Sequence, residues 1–469
     1  MKAELFIADV EVEGRLVSVA IADGHLVPIT DRTDLAGATE LDGRGGALLP
    51  GLHDHHLHLT ATAAATTSVD VSLLRAGDVD GLAAALRGAD ADHPPHDWLR
   101  VIGYHESIAG DLDRHDLDRL VPVRPIRVQD RTGARWTVNS AAGAALGLQI
   151  GDHPGIEREP TGVPTGRLHR GDEWLRDHLP TGAQLDLAPV GRRLARAGVT
   201  GVTDTTAWSE PGGWTVLADA VFTGALPQRV AVTGGPELLD APLPPELRRG
   251  PVKVVLDDAA YPALDDLVST INAAHGVGRN VAFHTVTRTS LVLALAALDG
   301  ATRRPGDRLE HGAVIAPDVF DPIRDLALTV VTQPGFVRER GDRYLVDVEA
   351  DDLPHLYRCR SLLDAGIRVA ASTDAPYSDL DPWSAIRTAV DRRTRDGQVL
   401  GEGEGVDPAT AIRLWLGPSD DPGGPPRRLT TGQTADLVLL DRSWAQLLEY
   451  PCREAVVATI VAGKVVHHR

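Results

Sequence analysis

The segment PGLHDHHLHL carries four histidines and one aspartate within ten residues. In a β-strand, side chains at positions i and i+2 point to the same face. Two neutral imidazoles on one face form a simple chelate for a divalent metal ion. The pairs His53/His55 and His56/His58 both have this spacing.

The residues between the histidines distinguish the two pairs. Asp54 shares a face with His56 and His58, as expected for a polar site, whereas the odd-numbered face also carries leucines suited to packing against helices. We therefore choose His56 and His58 as metal ligands.

Three further polar residues lie at the ends of later strand-like segments. His284 ends NVAFH, His311 follows RLE before a glycine, and Asp374 lies in ASTDAP. Each histidine alone could be a hydrogen-bonded core residue, and Asp374 could cap a helix. Together with the first pair, they favour metal ligation. An aspartate in this position can also carry a proton to and from the reacting groups.

A series of apolar, β-branched segments must position these residues. The segments are ALLPGLHDHHLHL, GVTGVTDTT, QRVAVTG, VKVVLDD, NVAFHTV, RLEHGAV, LTVVTQPG and RVAASTDAP. Most are separated by roughly 20 to 30 residues, the length of a βα unit, and continuous apolar runs are typical of buried parallel strands. Eight such units predict an α/β fold, a (β/α)8 TIM barrel with its site at the carboxyl ends of the strands.

Two features depart from a plain barrel. Both ends of the chain alternate like strands, so we predict a composite β-sandwich from residues 1–48 and 428–469 beside a barrel of residues 49–427. The gap after the first barrel segment is too long for a βα connection. We interpret residues 60–195 as an insert that acts as a lid.

Composition restricts the function. The net charge of -19 disfavours a nucleic-acid partner. With only two cysteines there is no disulfide framework, and a cysteine zinc site is excluded. No signal region or membrane span is recognisable, so we expect a cytoplasmic protein that does not bind a membrane.

The ordered set of motifs resembles the amidohydrolase superfamily. PGLHDHHLHL is similar to its PGxxDxHxH signature, and VKVVLDD, VAFHTV, RLEHG and ASTDAP follow in the order of its strands four, five, six and eight. The segment VRPIRVQDRTGARWTVNSAAGAALGL and the ending GQTADLVLLD resemble the amidohydrolase-3 branch, which includes N-substituted formamide deformylase.

The resemblance implies one or two divalent metal ions per chain, with Zn²⁺ expected. The ligand set it implies is His56, His58, Lys253, His284, His311 and Asp374. An ammonium cannot ligate a metal, so Lys253 would have to react with carbon dioxide and bridge two metals as a carbamate. The alternative is an ordinary lysine near the start of its strand. Relatives are often dimers, which suggests a homodimer.

Five residues are weaker candidates for substrate binding. Tyr104 and His105 follow an apolar run in the insert, Trp136 and Asn139 match the insert motif, and Gln333 ends the seventh barrel segment. A solvated loop, local packing and strand termination are the respective alternatives.

The predicted function is hydrolysis of a carbon–nitrogen bond in a small amide, formamide or cyclic amide. Metal-activated water would attack the carbonyl, and Asp374 would shuttle the proton. A deaminase, or a lactone or ester hydrolase, could use the same site. Deamination ranks lower, because HTVTRTS lacks the glutamate usual in deaminases of this superfamily. A non-catalytic scaffold is the alternative of another class.

Overall fold

The computed structural model describes residues 2–94, 97–179, 185–258 and 260–469. Its internal contacts separate two compact units. One comprises the chain up to Leu59 together with Leu187–Arg469, and the other is Thr60–Asp186.

Eight parallel strands form the centre of the first unit, and each coincides with an apolar segment predicted from the sequence. They are β1 (Leu52–Leu57), β2 (Val199–Asp204), β3 (Arg229–Gly234), β4 (Arg248–Val255), β5 (Val281–Thr285), β6 (Arg308–His311), β7 (Thr329–Thr332) and β8 (Arg368–Ala371). Each pairs with its neighbours in chain order. Just beyond β8, Asp374 N–H donates to the carbonyl of His56 (2.8 Å), and His58 N–H donates to that of Ala375 (2.9 Å). These bonds bring the first and last strands together and confirm the barrel.

Helices lie between the barrel strands in the chain and after the last of them. They are Ala188–Arg196, Gly212–Phe222, Leu264–Gly276, Arg288–Gly300, Phe320–Asp325, Gly335–Asp347, Arg360–Asp364, Pro382–Asp391 and Pro408–Arg413, with short 3-10 turns at Pro236–Leu238, Pro317–Val319, Leu353–His355 and Glu402–Glu404. The helix Arg288–Gly300 shows why they form. A reciprocal cap between Thr287 and Ser290 starts it, and it buries apolar residues at spacings of three and four, including Leu291, Leu295 and Leu298.

The two ends of the chain build two four-stranded sheets in the first unit. One contains Leu5–Val12, Arg15–Ala22, His25–Val27 and Thr39–Asp42; the other contains Leu48–Pro50, Leu437–Leu440, Val456–Val461 and Lys464–His468. Apolar residues of both sheets, such as Ile7, Leu437 and Ile460, pack in one cluster. The short elements Arg32–Leu35, Trp444–Glu449 and Arg453–Ala455 accompany these sheets in the chain.

Two tight hairpin turns connect strands of the amino-terminal sheet. Glu13–Gly14 and Asp23–Gly24 both have positive φ at their two central residues, the geometry that suits a two-residue turn between twisted strands.

The second unit contains a mixed six-stranded sheet with its own core. Its strands, in sheet order, are Ile156–Arg158, Pro164–His169, Arg135–Val138, Ile126–Asp130, Leu99–Tyr104 and Val69–Asp70. Its helices are Val79–Asp92, Glu106–Ala109, Arg114–Leu120, Ser140–Ala145 and Asp172–His178; Leu59–Ala65 precedes them in the chain. In the part of the chain that the structure describes, no helix is long and apolar enough to cross a membrane.

Candidate metal centre

Two residues at the carboxyl ends of barrel strands have unusual backbone conformations. His311, the last residue of β6, has a φ of 69°, and Asp374, three residues beyond β8, has a φ of 59°. Non-glycine residues rarely adopt this left-handed conformation, and such strain concentrates at functional sites. Asp374 does not cap a helix, because the next helix, Pro382–Asp391, is capped by Asp381.

The carboxylate of Asp374 lies among three imidazoles. Its Oδ1 is 3.3 Å from Nε2 of His58 and 3.5 Å from Nε2 of His56, and its Oδ2 is 3.7 Å from Nδ1 of His311. His56, His58 and Asp374 each offer a ligand atom within 4.8 Å of the others. Nε2 of His56 and Oδ1 of Asp374 are buried without a hydrogen-bond partner among the described residues. A divalent cation would satisfy both atoms, so this donor set fits a metal ion.

Glu310, in the middle of β6, fixes the tautomer of His56 by contacting the ring nitrogen that faces away from Asp374. The Nδ1 of His56 is hydrogen-bonded to Oε2 of Glu310, and both side chains are fully buried. An ionised carboxylate only accepts, so His56 donates from Nδ1 and keeps a lone pair on Nε2, which faces Asp374. Burial also lowers the pKa of His56 well below its usual range, which favours the neutral, ligating form.

His311 is oriented by Gln333, the residue after β7. The Nε2 of Gln333 donates to the carbonyl of Val331 (3.3 Å) and to Oγ of Ser372 (3.0 Å), which leaves its Oε1 to accept from Nδ1 of His311 at 2.9 Å. The Nε2 of His311 therefore carries the lone pair. It is hydrogen-bonded to Nδ1 of His284 at 2.9 Å, so the two rings are in direct contact.

Lys253 lies near the end of β4, not near its start. The strand begins at Arg248, because residues 248 and 249 already pair with β3. The side chain is 3% exposed, and its Nζ has no hydrogen-bond partner among the described residues. Burial lowers the pKa of Lys253 to about 8, against the opposing effect of Glu310 and Asp374. A buried amine with no partner is unfavourable and requires an explanation.

The remaining polar groups near β1 fix the backbone of the site. Thr373 donates to the buried carboxylate of Asp54 from its Oγ1 (2.5 Å) and its N–H (3.1 Å), which joins β1 to the segment after β8. Burial raises the pKa of Asp54 to about 7. At the end of β2, the Oγ1 of Thr206 lies 3.0 Å from Nδ1 of His58, the ring nitrogen turned away from Asp374.

One aromatic residue that the sequence did not single out, Tyr377, lies beside the centre. The ring of Tyr377 is edge-on to His58, with 5.6 Å between centroids. Arg340 donates to the carbonyl of Tyr377 (2.8 Å) and lies over the ring of Phe336. Tyr377 follows the ASTDAP motif by one residue, and this proximity was the only signal in the sequence.

Four of the predicted substrate-binding residues lie in the second unit, where all have local partners. Tyr104 donates to the carbonyl of Gly110 (2.6 Å), and His105 caps a helix through Nδ1. Trp136 donates to Asp172 (2.9 Å). Asn139 is fully buried, and both its oxygen and its nitrogen bond backbone groups, including the carbonyl of Val121.

Comparison with known proteins identifies the family of this chain. The sequence model of the amidohydrolase family, Amidohydro_3, matches residues 39–467. N-substituted formamide deformylase from Arthrobacter pascens is 26% identical over 96% of this chain and 95% of its own.

Two solved structures share the fold, each an uncharacterized metal-dependent hydrolase. The one from Pyrococcus horikoshii OT3 has a TM-score of 0.70 at 19% identity, over 98% of this chain and 99% of that chain. The one from Pyrococcus furiosus has a TM-score of 0.68 at 21% identity, over 93% of this chain and 98% of that chain. The resemblance predicted from the motifs is thus confirmed, as is the prediction of an enzyme over a scaffold. The chain belongs to the amidohydrolase family and is a metal-dependent hydrolase of carbon–nitrogen bonds other than peptide bonds.

Proposed function

We propose that this enzyme hydrolyses the carbon–nitrogen bond of a small amide or formamide at a metal held by His56, His58 and Asp374. The observation that carries the proposal is the placement of Asp374, whose Oδ1 lies within 3.5 Å of Nε2 of both histidines. The similarity to N-substituted formamide deformylase supports a substrate of the N-substituted formamide class.

Neutral imidazoles and a carboxylate suit Zn²⁺ as the resident ion. When bound, such a cation supplies Lewis acidity: it lowers the pKa of water toward about 7 and polarises a carbonyl oxygen. The protein orients the metal-binding imidazoles, because Glu310 and Gln333 fix which nitrogens of His56 and His311 face the centre.

Asp374 is the proposed proton shuttle. It takes the proton of the attacking water on a carboxylate oxygen and returns it to the leaving nitrogen as the carbon–nitrogen bond breaks. The hydrogen bond from its own N–H to the carbonyl of His56 keeps the carboxylate beside the histidines while the proton is transferred.

A second metal position is proposed at His284 and His311, with carbamylated Lys253 as the bridge. The buried Nζ of Lys253, which has no hydrogen-bond partner among the described residues, supports this assignment. Reaction with carbon dioxide would convert the amine into an anionic carbamate and release a proton. The carbamate oxygens could then bind metal, which an ammonium group cannot do.

The test is a panel of N-substituted formamides, simple amides and cyclic amides, assayed with metal-loaded enzyme, chelator-treated enzyme and enzyme reloaded with Zn²⁺. We expect formamide or amide hydrolysis that chelation abolishes and Zn²⁺ restores. Full activity after complete metal removal contradicts the proposal. Turnover only of ring amines or lactones in a parallel panel assigns the site to the deaminase or ester-hydrolase alternative.

Other sequence predictions remain proposals. They are substrate contacts by Tyr104, His105, Trp136, Asn139 and Gln333, the domain limits with residues 60–195 as a lid, a cytoplasmic location and a homodimer.

A further inference from the structure

Glu310 is a fully buried carboxylate with two different partners. Its Oε2 holds Nδ1 of His56, which lies 254 positions away in the chain. Its Oε1 lies 2.6 Å from Nε of Arg308, which is two residues earlier on β6 and 2% exposed; the two atoms form an ion pair without hydrogen-bond geometry. Residues i and i+2 of a strand share a face, so Arg308 and Glu310 project together toward β1.

From this arrangement we infer that Glu310 is a positioning residue that tunes the metal affinity of the centre through His56, with the guanidinium of Arg308 paired to its other oxygen. The inference rests on the proposed metal site. An anionic acceptor on Nδ1 makes Nε2 of the same ring a better electron donor and fixes the plane of the ring. The Arg308 guanidinium supplies the charge that a buried carboxylate needs.

A purely structural ion pair would not require this geometry. Asp307, the residue before β6, illustrates such a pair: its carboxylate is also buried, bonds Nε2 of His275 (3.0 Å) and accepts from the N–H of Val281 (2.9 Å). None of these partners belongs to the candidate centre. Glu310, by contrast, places one oxygen beside the guanidinium of Arg308 and the other beside the ring of His56. The opposite nitrogen of that ring faces Asp374.

The test compares Glu310→Gln with Asp307→Asn, which removes a buried carboxylate charge next to β6 but outside the centre. Zn²⁺ affinity is measured by chelator competition on the folded full-length proteins. The visible absorption spectrum after Co²⁺ substitution reports the ligand geometry. Should Glu310→Gln not fold because Arg308 is left unpaired, the double variant Arg308→Gln with Glu310→Gln, which buries no unpaired charge, takes its place.

We expect Zn²⁺ binding about 10- to 100-fold weaker in Glu310→Gln, with an altered Co²⁺ spectrum, and parent-like values in Asp307→Asn. Parent-like affinity and spectrum in Glu310→Gln overturn the inference, as does an equal loss in both variants, which would indicate general destabilisation. Failure of the parent itself to bind Zn²⁺ overturns the proposed function and the inference with it.

Discussion

The backbone N–H of Asp374 donates a 2.8 Å hydrogen bond to the carbonyl of His56, so the carboxylate and the imidazole are held together by the same link that joins β8 to β1. Barrel closure and the candidate centre therefore depend on one another. Asp54 strengthens the link by accepting two hydrogen bonds from Thr373.

Removing the charge of Asp374 should stop catalysis. Asp374→Asn keeps the size of the side chain but cannot accept the proton, so we expect kcat to fall at least about 100-fold. Asp381→Asn is the matched control, because Asp381 caps the next helix and asparagine also caps well. Steady-state kinetics on both variants make the comparison; equal activity of Asp374→Asn and parent would exclude the shuttle role.

The two faces of β1 should respond differently to substitution. His55 is fully buried, and neither of its ring nitrogens has a hydrogen-bond partner among the described residues. We expect His55→Leu to retain metal and to change the free energy of unfolding by no more than about 1 kcal/mol, since no bonded polar group is lost. His56→Leu should lose metal. Elemental analysis and thermal melts distinguish the two, and metal loss only in His55→Leu would assign the centre to the other face.

Gln333 could either orient the metal ligand His311 or bind the substrate, and the two roles predict different kinetics. Because its Oε1 accepts from His311, Gln333→Met should lower kcat or metal content about 10- to 100-fold. The position of Gln333 at the end of β7 also permits contact with the substrate. If Gln333 binds the substrate and the transition state equally well, KM should rise in the variant while kcat and metal content stay constant. Kinetics together with metal analysis separate these outcomes.

One prediction concerns stability rather than catalysis. Asp407 caps the helix Pro408–Arg413, and its hydrogen bonds with Thr410 lower the pKa of the carboxyl. A lowered folded-state pKa stabilises the fold above the unfolded pKa of about 3.9, and this contribution disappears as the pH falls through the folded value. Asp407→Ala should cost about 1 kcal/mol at pH 7, and less near pH 3, below the unfolded pKa. Urea unfolding at both pH values measures the difference; a larger cost at the lower pH would contradict it.

Most of the barrel strands were predictable because they contain a continuous apolar run. Parallel strands covered on both faces, such as Val281–Thr285, require such sequences. The choice of His56 and His58 needed only the alternation of side chains along β1. The start of β4 was misjudged, because the charged pair Arg248–Arg249 did not read as strand although it pairs with β3.

The partners of the ligands could not be predicted in the same way. Glu310 looked like an ordinary residue before His311, because its contact with His56 exists only once β1 and β6 enclose the same interior. A signal was present in the two charges of Arg308 and Glu310 on one face of a short buried strand, which require partners. Sequence spacing could not identify those partners.

Elemental metal content per chain shows whether His56, His58 and Asp374 hold a divalent metal as proposed. The proteins are purified without chelator as parent, His58→Ala and Lys253→Ala. We expect at least one ion per chain in the parent and loss of that ion in His58→Ala; two ions in the parent, reduced in Lys253→Ala, would support the carbamate bridge. A parent that binds no metal even after reloading, or a His58→Ala variant that keeps its full metal content, would contradict the proposed site.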